Sequence, residues 1–476
     1  MSERVSYNKT KIVATVGPAS NSKEMLRALI KEGVDVFRLN FSHGSHEDHL
    51  KVINFVRELN AELGSTVSLL QDLQGPKIRI NEMQPNVVIE RGQELIITNQ
   101  ELLGNNEIAS TSYKNLPKDV KAGDMILVDD GKIELRVKEV RDEEVVTEVV
   151  YGGPLKSRKG INLPFSKVSA PSLTDKDLRD LEFGIRHKVD WIALSFVRKA
   201  ADINSMRDIL VRNNADSRIV AKIEKPEALS NIDEIIAATD AVMVARGDLG
   251  VEIWLEEVPM VQKMLVEKCN RQGKPVIVAT QMMESMIENP RPTRAETNDV
   301  ANAVMDGADA LMLSAETAAG KYPIEVIRSM VRTIASVEKN PNIYFRFREV
   351  DVNSPIYVND SLVLAACKLA QDVGAKAIVG MTSSGYTAFK SSSHRPNANI
   401  FVFTGNDTLI NKMNLVWGTR AYHYDKTDST DDTIADVEEI LRKEGHVQSG
   451  DKFIFLASMP IHERARTNTL KINVVK

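Results

Sequence analysis

The chain has 476 residues, too many for one ordinary hydrophobic core, and a span of about 150 residues per domain gives roughly three units. Hydrophobic residues at 43% and charged residues at 27% are ordinary globular usage, which excludes wholesale disorder and fibrous repeats. With 61 basic against 66 acidic side chains the net charge is −5, so nothing global draws the protein to nucleic acid or an anionic membrane, and any phosphate must be met locally.

Short runs rich in Val, Ile, Ala and Leu recur along the chain, each followed by charged helical periodicity, the rhythm of βα units with buried parallel strands. Strands are expected at 11–18, 34–41, 67–74, 191–197, 218–224, 241–248, 275–281 and 310–316, with helices between them at 22–33, 173–188, 226–239 and 258–273. Eight parallel strands with outer helices make a TIM (β/α)8 barrel. The rhythm breaks once, after the third strand, where alternating runs such as GDMILVDDGKIELRVKEV are punctuated by Gly and Asp and read as a small antiparallel β unit. An insert in a βα loop lies on the catalytic face and is placed to act as a lid. After about Asn340 helix and strand alternate again as a separate α/β unit. The expected division is 1–80 and 170–340 for the barrel, 81–169 for the lid and 341–476 for the last unit. The opening 25 residues carry no apolar signal-peptide core, and no stretch approaches the roughly 20 apolar residues of a membrane span, so a cytoplasmic protein is expected. Two cysteines, Cys269 and Cys367, build neither a disulfide framework nor a zinc site.

Polar residues at the C-terminal ends of barrel strands build active sites in this fold. Six strand ends carry them: Arg38, Asn40, Ser42 and His43; Asp72; Lys222 and Glu224; Arg246 and Asp248; Thr280; Ser314 and Glu316. Any one could be a structural ion pair, but six converge. Period-2 alternation puts Lys222 and Glu224 on one face of their strand and Ala221 and Ile223 on the other. Glu224 and Asp248, on neighbouring strand ends, suit Mg²⁺ or Mn²⁺, which keep water and substrate oxygens in their shells. The bland alternative has Lys222 merely neutralising Glu224, and leaves Asp248 and Arg38 without a common purpose. Arg38 presents a planar donor fork to a phosphoryl group, and Lys222 can follow charge between phosphoryl and leaving oxygen. His43 is equally a turn-capping loop histidine or a ligand contact. A GxGxxG dinucleotide motif is absent.

The segments TKIVATVGPAS, FRLNFSHG, LQDLQGPKIR, KGINLP, AKIEKPE, MVARGDLGVE, ATQMMESMIENPRPTRAE and MLSAETAAGKYP, in that order, resemble pyruvate kinases across nearly the whole chain. The resemblance implies a barrel, an inserted small β-barrel lid, a C-terminal α/β regulatory domain, homotetramers, and phosphoryl transfer from phosphoenolpyruvate to ADP giving pyruvate and ATP. It assigns Arg38 to the phosphoryl group, Lys222 to charge stabilisation, and Glu224 and Asp248 to the metal. Thr280 belongs to the relay that protonates the enolate, with a water, Ser314 or Glu316 as proton source. The backbone amides of the Arg246-Gly247-Asp248 turn face the substrate carboxylate, and His43, Arg79 and Lys159 contact the nucleotide. Many relatives hold K⁺ with residues matching Asn40, Ser42, Asp72 and the Leu73 carbonyl beside a glutamate. That glutamate position reads Lys77 here, and Leu73, Gln74 and Ile80 resemble the same K⁺-independent subgroup, so K⁺ is expected to be dispensable.

In the last unit, Thr382, Ser383, Ser384 and Thr387 precede and open a helical stretch and form either a phosphate site for a phosphorylated effector or a plain capped loop. The later segment 458–470 lacks the glycine-rich run found in many fructose-bisphosphate-activated relatives, which leaves the effector open. Two rivals accompany this reading. Another phosphoenolpyruvate or pyruvate barrel, such as a mutase or metal-dependent aldolase, would also use a Mg²⁺-enolate centre, but the lid and Lys159 argue against it. A non-catalytic metabolite sensor would have no need of Arg38, Lys222, Glu224, Asp248 and Thr280 together.

Overall fold

The computed structural model describes residues 8–164, 166, 168–426, 429–460 and 466–476. Eight parallel strands close into a barrel: β1 (Lys11–Val16), β2 (Val36–Asn40), β3 (Ser68–Asp72), β4 (Trp191–Leu194), β5 (Arg218–Ile223), β6 (Ala241–Ala245), β7 (Val276–Ala279) and β8 (Ala310–Leu313), joined in chain order with β8 back to β1. All eight expected strands are present, and each stops before its expected C-terminal end. Among the residues cut off, Glu224, Arg246, Asp248, Thr280, Ser314 and Glu316 leave the ladder to enter the loops at the C-terminal face, while Arg38, Asn40, Asp72 and Lys222 stay in their strands.

Alternation sorts the side chains as expected. Val220 joins Val13, Val36, Leu70, Met243, Ile277 and Met312 in the barrel interior, while Ala221 and Ile223 pack outward against the helices. Helix ends follow their caps: Lys23–Glu32 starts at Ser22, whose side chain accepts from Met25 N, and Val258–Gln272 stops at Gly273 with φ 66°. The helix expected over 226–239 is instead two, Pro226–Ser230 and Ile232–Ala238, broken at Asn231, where φ −108° and ψ 17° leave the helical well.

The insert forms a six-stranded sheet in the spatial order Ile161–Asn162, Met125–Val128, Ile133–Val140, Glu144–Tyr151, Glu94–Thr98, Ile108–Ser110. Its end strands are bridged through one segment. Arg79 pairs with Gly160 on one side and Ile80 with Thr111 on the other, so the sheet closes as a small barrel around Ile97, Ile126, Leu135 and Val145. At the root of this unit, Asn162 Nδ2 donates to Glu252 Oε1 at 2.8 Å, and Lys225 Nζ reaches the same buried oxygen at 2.6 Å.

The last unit is a five-stranded sheet of β9 (Ala377–Met381), β10 (Asn399–Thr404), β11 (Thr419–His423), β12 (Lys452–Ala457) and β13 (Thr469–Val474), in the order β11-β10-β9-β12-β13. The first four run parallel, and β13, which the sequence reading did not single out, adds an antiparallel edge. This unit seals the N-terminal mouth of the barrel: Leu415 belongs to the interior cluster and Phe389 packs against it. Arg218, at the mouth end of β5, lays its guanidinium 4.5 Å from the Phe389 ring centroid and donates to the Ser384 carbonyl at 2.7 Å. Buried Arg395 donates to Asp309 Oδ2 at 3.0 Å, Asn270 Oδ1 at 2.8 Å and the Gly307 carbonyl at 2.7 Å, tying the sheet to the foot of β8.

His394 is buried beside that anchor, and burial, with the Lys390 and Arg348 charges adding to it, pushes its pKa from 6.5 down to about 4. The unfolded chain therefore takes up a proton near pH 6.5 that the folded chain refuses until about pH 4. The stability this group leaves intact above pH 6.5 is lost as pH falls through that window, by about 3 kcal/mol. The urea midpoint is expected to drop between pH 6.5 and 4, and His394→Gln to flatten that drop; equal slopes for both proteins would remove His394 as the cause.

Candidate active site

Closure of the barrel brings the ends of β2, β3 and β5 into one connected network. Strand register places Asn40 opposite Asp72, and Arg38 opposite Thr15 on β1. Arg38 Nε donates to Asp72 Oδ2 at 2.7 Å, and Arg38 Nη1 donates to Thr15 Oγ1 at 3.0 Å; the Thr15 hydroxyl in turn donates to the Leu313 carbonyl at 2.8 Å. Lys222 Nζ lies 3.2 Å from Asp72 Oδ1 and 3.0 Å from Glu224 Oε1, and donates to Ser195 Oγ at 2.7 Å. The Ser195 hydroxyl donates in its turn to the Leu73 carbonyl at 2.8 Å. Glu224 Oε2 accepts from the backbone N–H of Phe196 at 2.7 Å, an orientation reached through a φ of 54° at Phe196.

Charge balance follows from this wiring. Burial would push the Asp72 carboxyl up, but Lys222 and Arg38 outweigh it and hold the group below the usual carboxylate range. Burial works against charge on Lys222 too, yet Asp72 and Glu224 raise its pKa above the ordinary lysine value, so the ammonium persists at neutral pH. Burial pushes the Glu224 carboxyl up; Lys222 pulls the other way, and the Asp248 charge adds to the rise.

Asp248 comes from a short helix, Arg246–Glu252, which begins where β6 ends. The expected turn at Arg246-Gly247-Asp248 is thus a helix's first turn, whose N–H groups lack intrahelical partners. Gly247 N donates to Thr280 Oγ1 at 2.8 Å, and a Cβ at Gly247 would sit 3.3 Å from that oxygen, so glycine lets the two loops meet. Thr280 holds φ at 69°, its hydroxyl donates to the Ala279 carbonyl at 2.6 Å, and its own carbonyl accepts from Arg246 Nη2 at 2.7 Å. Both oxygens of buried Glu316 accept backbone N–H groups, from Ser314 at 2.7 Å and Met283 at 3.2 Å. Glu316 is therefore a brace for the β7 and β8 loops, and burial raises its carboxyl above the usual range.

Other expected residues are dispersed. Lys77 Nζ lies 3.3 Å from Asp248 Oδ1. Asn40 Oδ1 accepts from Ser42 N at 3.1 Å, Asp72 is engaged by Arg38 and Lys222, and Leu73 by Ser195, so Lys77 contacts the Asp248 carboxylate while the residues matched to a K⁺ site pair among other partners. His43 offers its carbonyl to His49 Nε2 at 3.0 Å, Arg79 Nη1 donates to the Arg158 carbonyl at 3.2 Å, and Lys159 pairs with Asp129 Oδ1 at 2.8 Å within the insert. No side-chain hydrogen bond or ion pair joins these three among the described residues, although Arg79 bridges Gly160 and the neighbouring Lys159 carbonyl accepts from Ile80 N at 2.8 Å.

Glu224 and Asp248 are the acids available to a cation, and among the described residues no group of three or more His, Cys, Asp or Glu side chains is placed to hold a metal. Two carboxylates, one raised by burial and further by the charge of the other, fit a divalent ion that completes its shell with water and substrate oxygens, and do not fit zinc.

Thr382, Ser383, Ser384 and Thr387 all line a cavity of about 490 Å³ in the last unit, with Lys426 and Arg466 also in its wall. Thr382 Oγ1 accepts from Gly385 N at 3.0 Å, and Thr387 shares a hydrogen bond with Thr467 at 2.8 Å. Residues 461–465 of the segment 458–470 lie outside the described residues.

Comparison with known proteins gives matches over the full length. A family model described as pyruvate kinase, barrel domain, matches residues 7–327, and one described as pyruvate kinase, alpha/beta domain, matches 360–473. A curated pyruvate kinase of Staphylococcus epidermidis is 44% identical over 474 residues, covering 98% of this chain and 80% of the relative. One of Geobacillus stearothermophilus is 44% identical over 475 residues with the same coverage. The crystal structure of a pyruvate kinase from Cryptosporidium parvum is similar at a TM-score of 0.92 and 36% identity, covering 100% of this chain and 98% of that one.

Proposed function

The chain belongs to the pyruvate kinase family and is a phosphotransferase acting between phosphoenolpyruvate and ADP, and on that premise we propose how its own residues carry the reaction. An oxygen of the ADP β-phosphate attacks phosphorus, the enol oxygen leaves with the bonding pair, and protonation at the enolate carbon yields pyruvate. The observation that carries the assignment is the Arg38–Asp72–Lys222–Glu224 network, which holds two cations at the mouth of the barrel on shared, buried carboxylates.

Arg38 Nη2 has no hydrogen-bond partner among the described residues, which leaves it free for a phosphoryl oxygen while Nε and Nη1 fix the fork. Lys222 steadies the negative charge that passes from the phosphoryl group to the enol oxygen, and loosening its contact with Glu224 frees an N–H for that oxygen. The Asp248 amide meets the substrate carboxylate, and the Gly247 amide joins it by exchanging Thr280 Oγ1 for a carboxylate oxygen. Glu224 and Asp248 are the residues to hold Mg²⁺ or Mn²⁺, an ion that when bound supplies Lewis-acid neutralisation of substrate oxygens. His43, Arg79 and Lys159 are the nucleotide contacts in this reading, and Lys159 must exchange Asp129 for phosphate. Asn40, Ser42, Asp72 and Leu73 match the monovalent-cation region of relatives, and Lys77 makes K⁺ dispensable.

Thr280 relays a proton through its hydroxyl. Thr280→Ala is expected to lower kcat by about tenfold with the KM for phosphoenolpyruvate little changed, below the roughly 100-fold of a direct general acid, and Thr280→Ser to restore it. A change confined to KM would make the hydroxyl a binding group only.

The same reading makes 1–80 and 170–340 the barrel domain, 81–169 the lid and 341–476 a regulatory domain, with the cavity at Thr382, Ser383, Ser384 and Thr387 taking a phosphorylated activator. It makes the protein a cytoplasmic homotetramer, a state supported by the exposed apolar side chains of Trp254, Leu255 and Met260. No helix among the described residues is long and apolar enough to cross a membrane. The deciding assay is pyruvate formation from phosphoenolpyruvate with Mg²⁺, with and without ADP. Pyruvate that forms at the same rate without ADP would reject phosphoryl transfer to ADP, because the phosphoryl group would then be passing to water; no pyruvate in either case would favour another phosphoenolpyruvate barrel.

A further inference from the structure

A second concentration of positive charge lies far from the catalytic mouth, where the barrel meets the last unit. A cavity of about 760 Å³ has Lys263, Arg271, Arg346 and Arg348 in its wall against Glu267, Asp306 and Glu349. Two of those acids are already matched, Asp306 by Lys263 and Glu267 by Arg271 at 2.8 Å. Arg346 and Arg348 form no ion pair among the described residues. They spend donors on carbonyls instead: Arg346 Nη1 on Asp306 O at 2.5 Å, Arg346 Nη2 on Met305 O, and Arg348 Nη1 on Ser393 O at 2.7 Å. Arg348 Nε and Nη2 make no hydrogen bond among the described residues.

A third guanidinium, Arg395, stands behind them and keeps Asp309 for itself. Burial lowers the Arg348 pKa to about 10, and the charges of Arg395 and Arg346 add to the fall. Half-buried arginines that repel one another and face a cavity are stable partners only for something anionic. Guanidinium forks match phosphate oxygens in pairs, and Phe347 and Met305 give the wall an apolar side for a carbon skeleton.

We propose that this seam between barrel and C-terminal unit is an anion site for a small phosphate monoester, held by Arg346 and Arg348 and separate from the Thr382–Thr387 cavity. Arg346 ties the segment that enters the last unit to the end of helix Arg294–Asp306, and Arg348 ties the same segment to the Ser393 carbonyl, so a bound ester is linked to how those two units sit together.

The test uses the full chain in thermal-shift titrations at fixed ionic strength with glycerol 3-phosphate, inorganic phosphate and, as control, glycerol. Glycerol 3-phosphate is expected to raise the Tm at lower concentration than inorganic phosphate, with glycerol inert. Arg348→Met is expected to weaken the apparent affinity by at least about tenfold, the loss of one or more charge-assisted hydrogen bonds. Arg348→Lys, which keeps the charge and loses the fork, is expected to fall between, and it preserves the test if the methionine variant does not fold. Identical titrations for parent and both variants would overturn the proposal. So would an effect abolished by Thr387→Val alone, which would place the phosphate in the other cavity. An unchanged titration with altered sedimentation of Arg348→Met would overturn it as well, by assigning the arginines to contact with a second copy of the chain.

Discussion

Lys222→Met is expected to lower kcat by at least about 10³-fold, the scale on which removal of a preorganised charge acts in a closed site. Methionine keeps most of the stem that fills the end of β5, so the change isolates the ammonium. That ammonium touches Asp72, Glu224 and Ser195 at once, and its pKa is held above the lysine norm by the two carboxylates. Without it, Asp72 retains Arg38, but Glu224 keeps only the Phe196 N–H and the repulsion of Asp248. Breaking a buried pair in this way costs about 3 to 5 kcal/mol of stability. Turnover must therefore be measured at a temperature where circular dichroism shows the variant folded. Folded Lys222→Met that turned over within tenfold of the parent would take charge stabilisation away from this residue.

Lys77→Glu is expected to cut turnover by about 100-fold in tetramethylammonium buffer with Mg²⁺, and added K⁺ to recover most of it, whereas the parent runs at full rate without K⁺. The ammonium lies 3.3 Å from Asp248 Oδ1, so the substitution replaces an attraction by a repulsion at the carboxylate assigned to the divalent ion. At about 4 Å and an effective dielectric near 20, one such charge is worth roughly 4 kcal/mol before solvent screening, and Lys77 is partly exposed, which brings the net effect to a fraction of that. A monovalent cation between the introduced carboxylate and Asp248 would restore the lost positive charge. A parent enzyme that stalled in tetramethylammonium and revived with K⁺ would overturn the reading of Lys77; a variant that stayed inactive with K⁺ present would show that the lysine does more than carry charge.

The barrel and the charged residues at its strand ends were legible because both rest on local rules. Period-2 alternation put Lys222 and Glu224 inward, and the polar tails past Asn40, Asp72, Ile223 and Ala245 marked the strand ends. What the text could not show is which tails touch, because that depends on closure. Thr15 and Ser195 look like ordinary strand-end hydroxyls in the sequence, yet one props Arg38 and the other accepts a hydrogen bond from Lys222. Asp72, assigned through resemblance to a cation region, turns out to be the shared counter-ion of both cations. The positive φ of Phe196 leaves no mark in residue type, since aromatic residues seldom adopt it. The buried Asn162–Glu252–Lys225 contact at the root of the insert joins residues up to 90 positions apart and has no periodic signature. Asn231, which splits an expected helix, had a signal that went unused, because asparagine favours turns over helix interiors.

The strand that bears Lys222 has an occupied far end. Its six residues span about 20 Å, with Arg218 at the foot gripping the Ser384 carbonyl and Lys222 one residue short of the other end. A strand hydrogen-bonded on both sides has no hinge, so the anchorage of the 382–385 loop and the aim of the lysine rest on one rigid element. Severing the grip at the foot would loosen the 382–385 loop while leaving the lysine's own partners, Asp72, Glu224 and Ser195, in place.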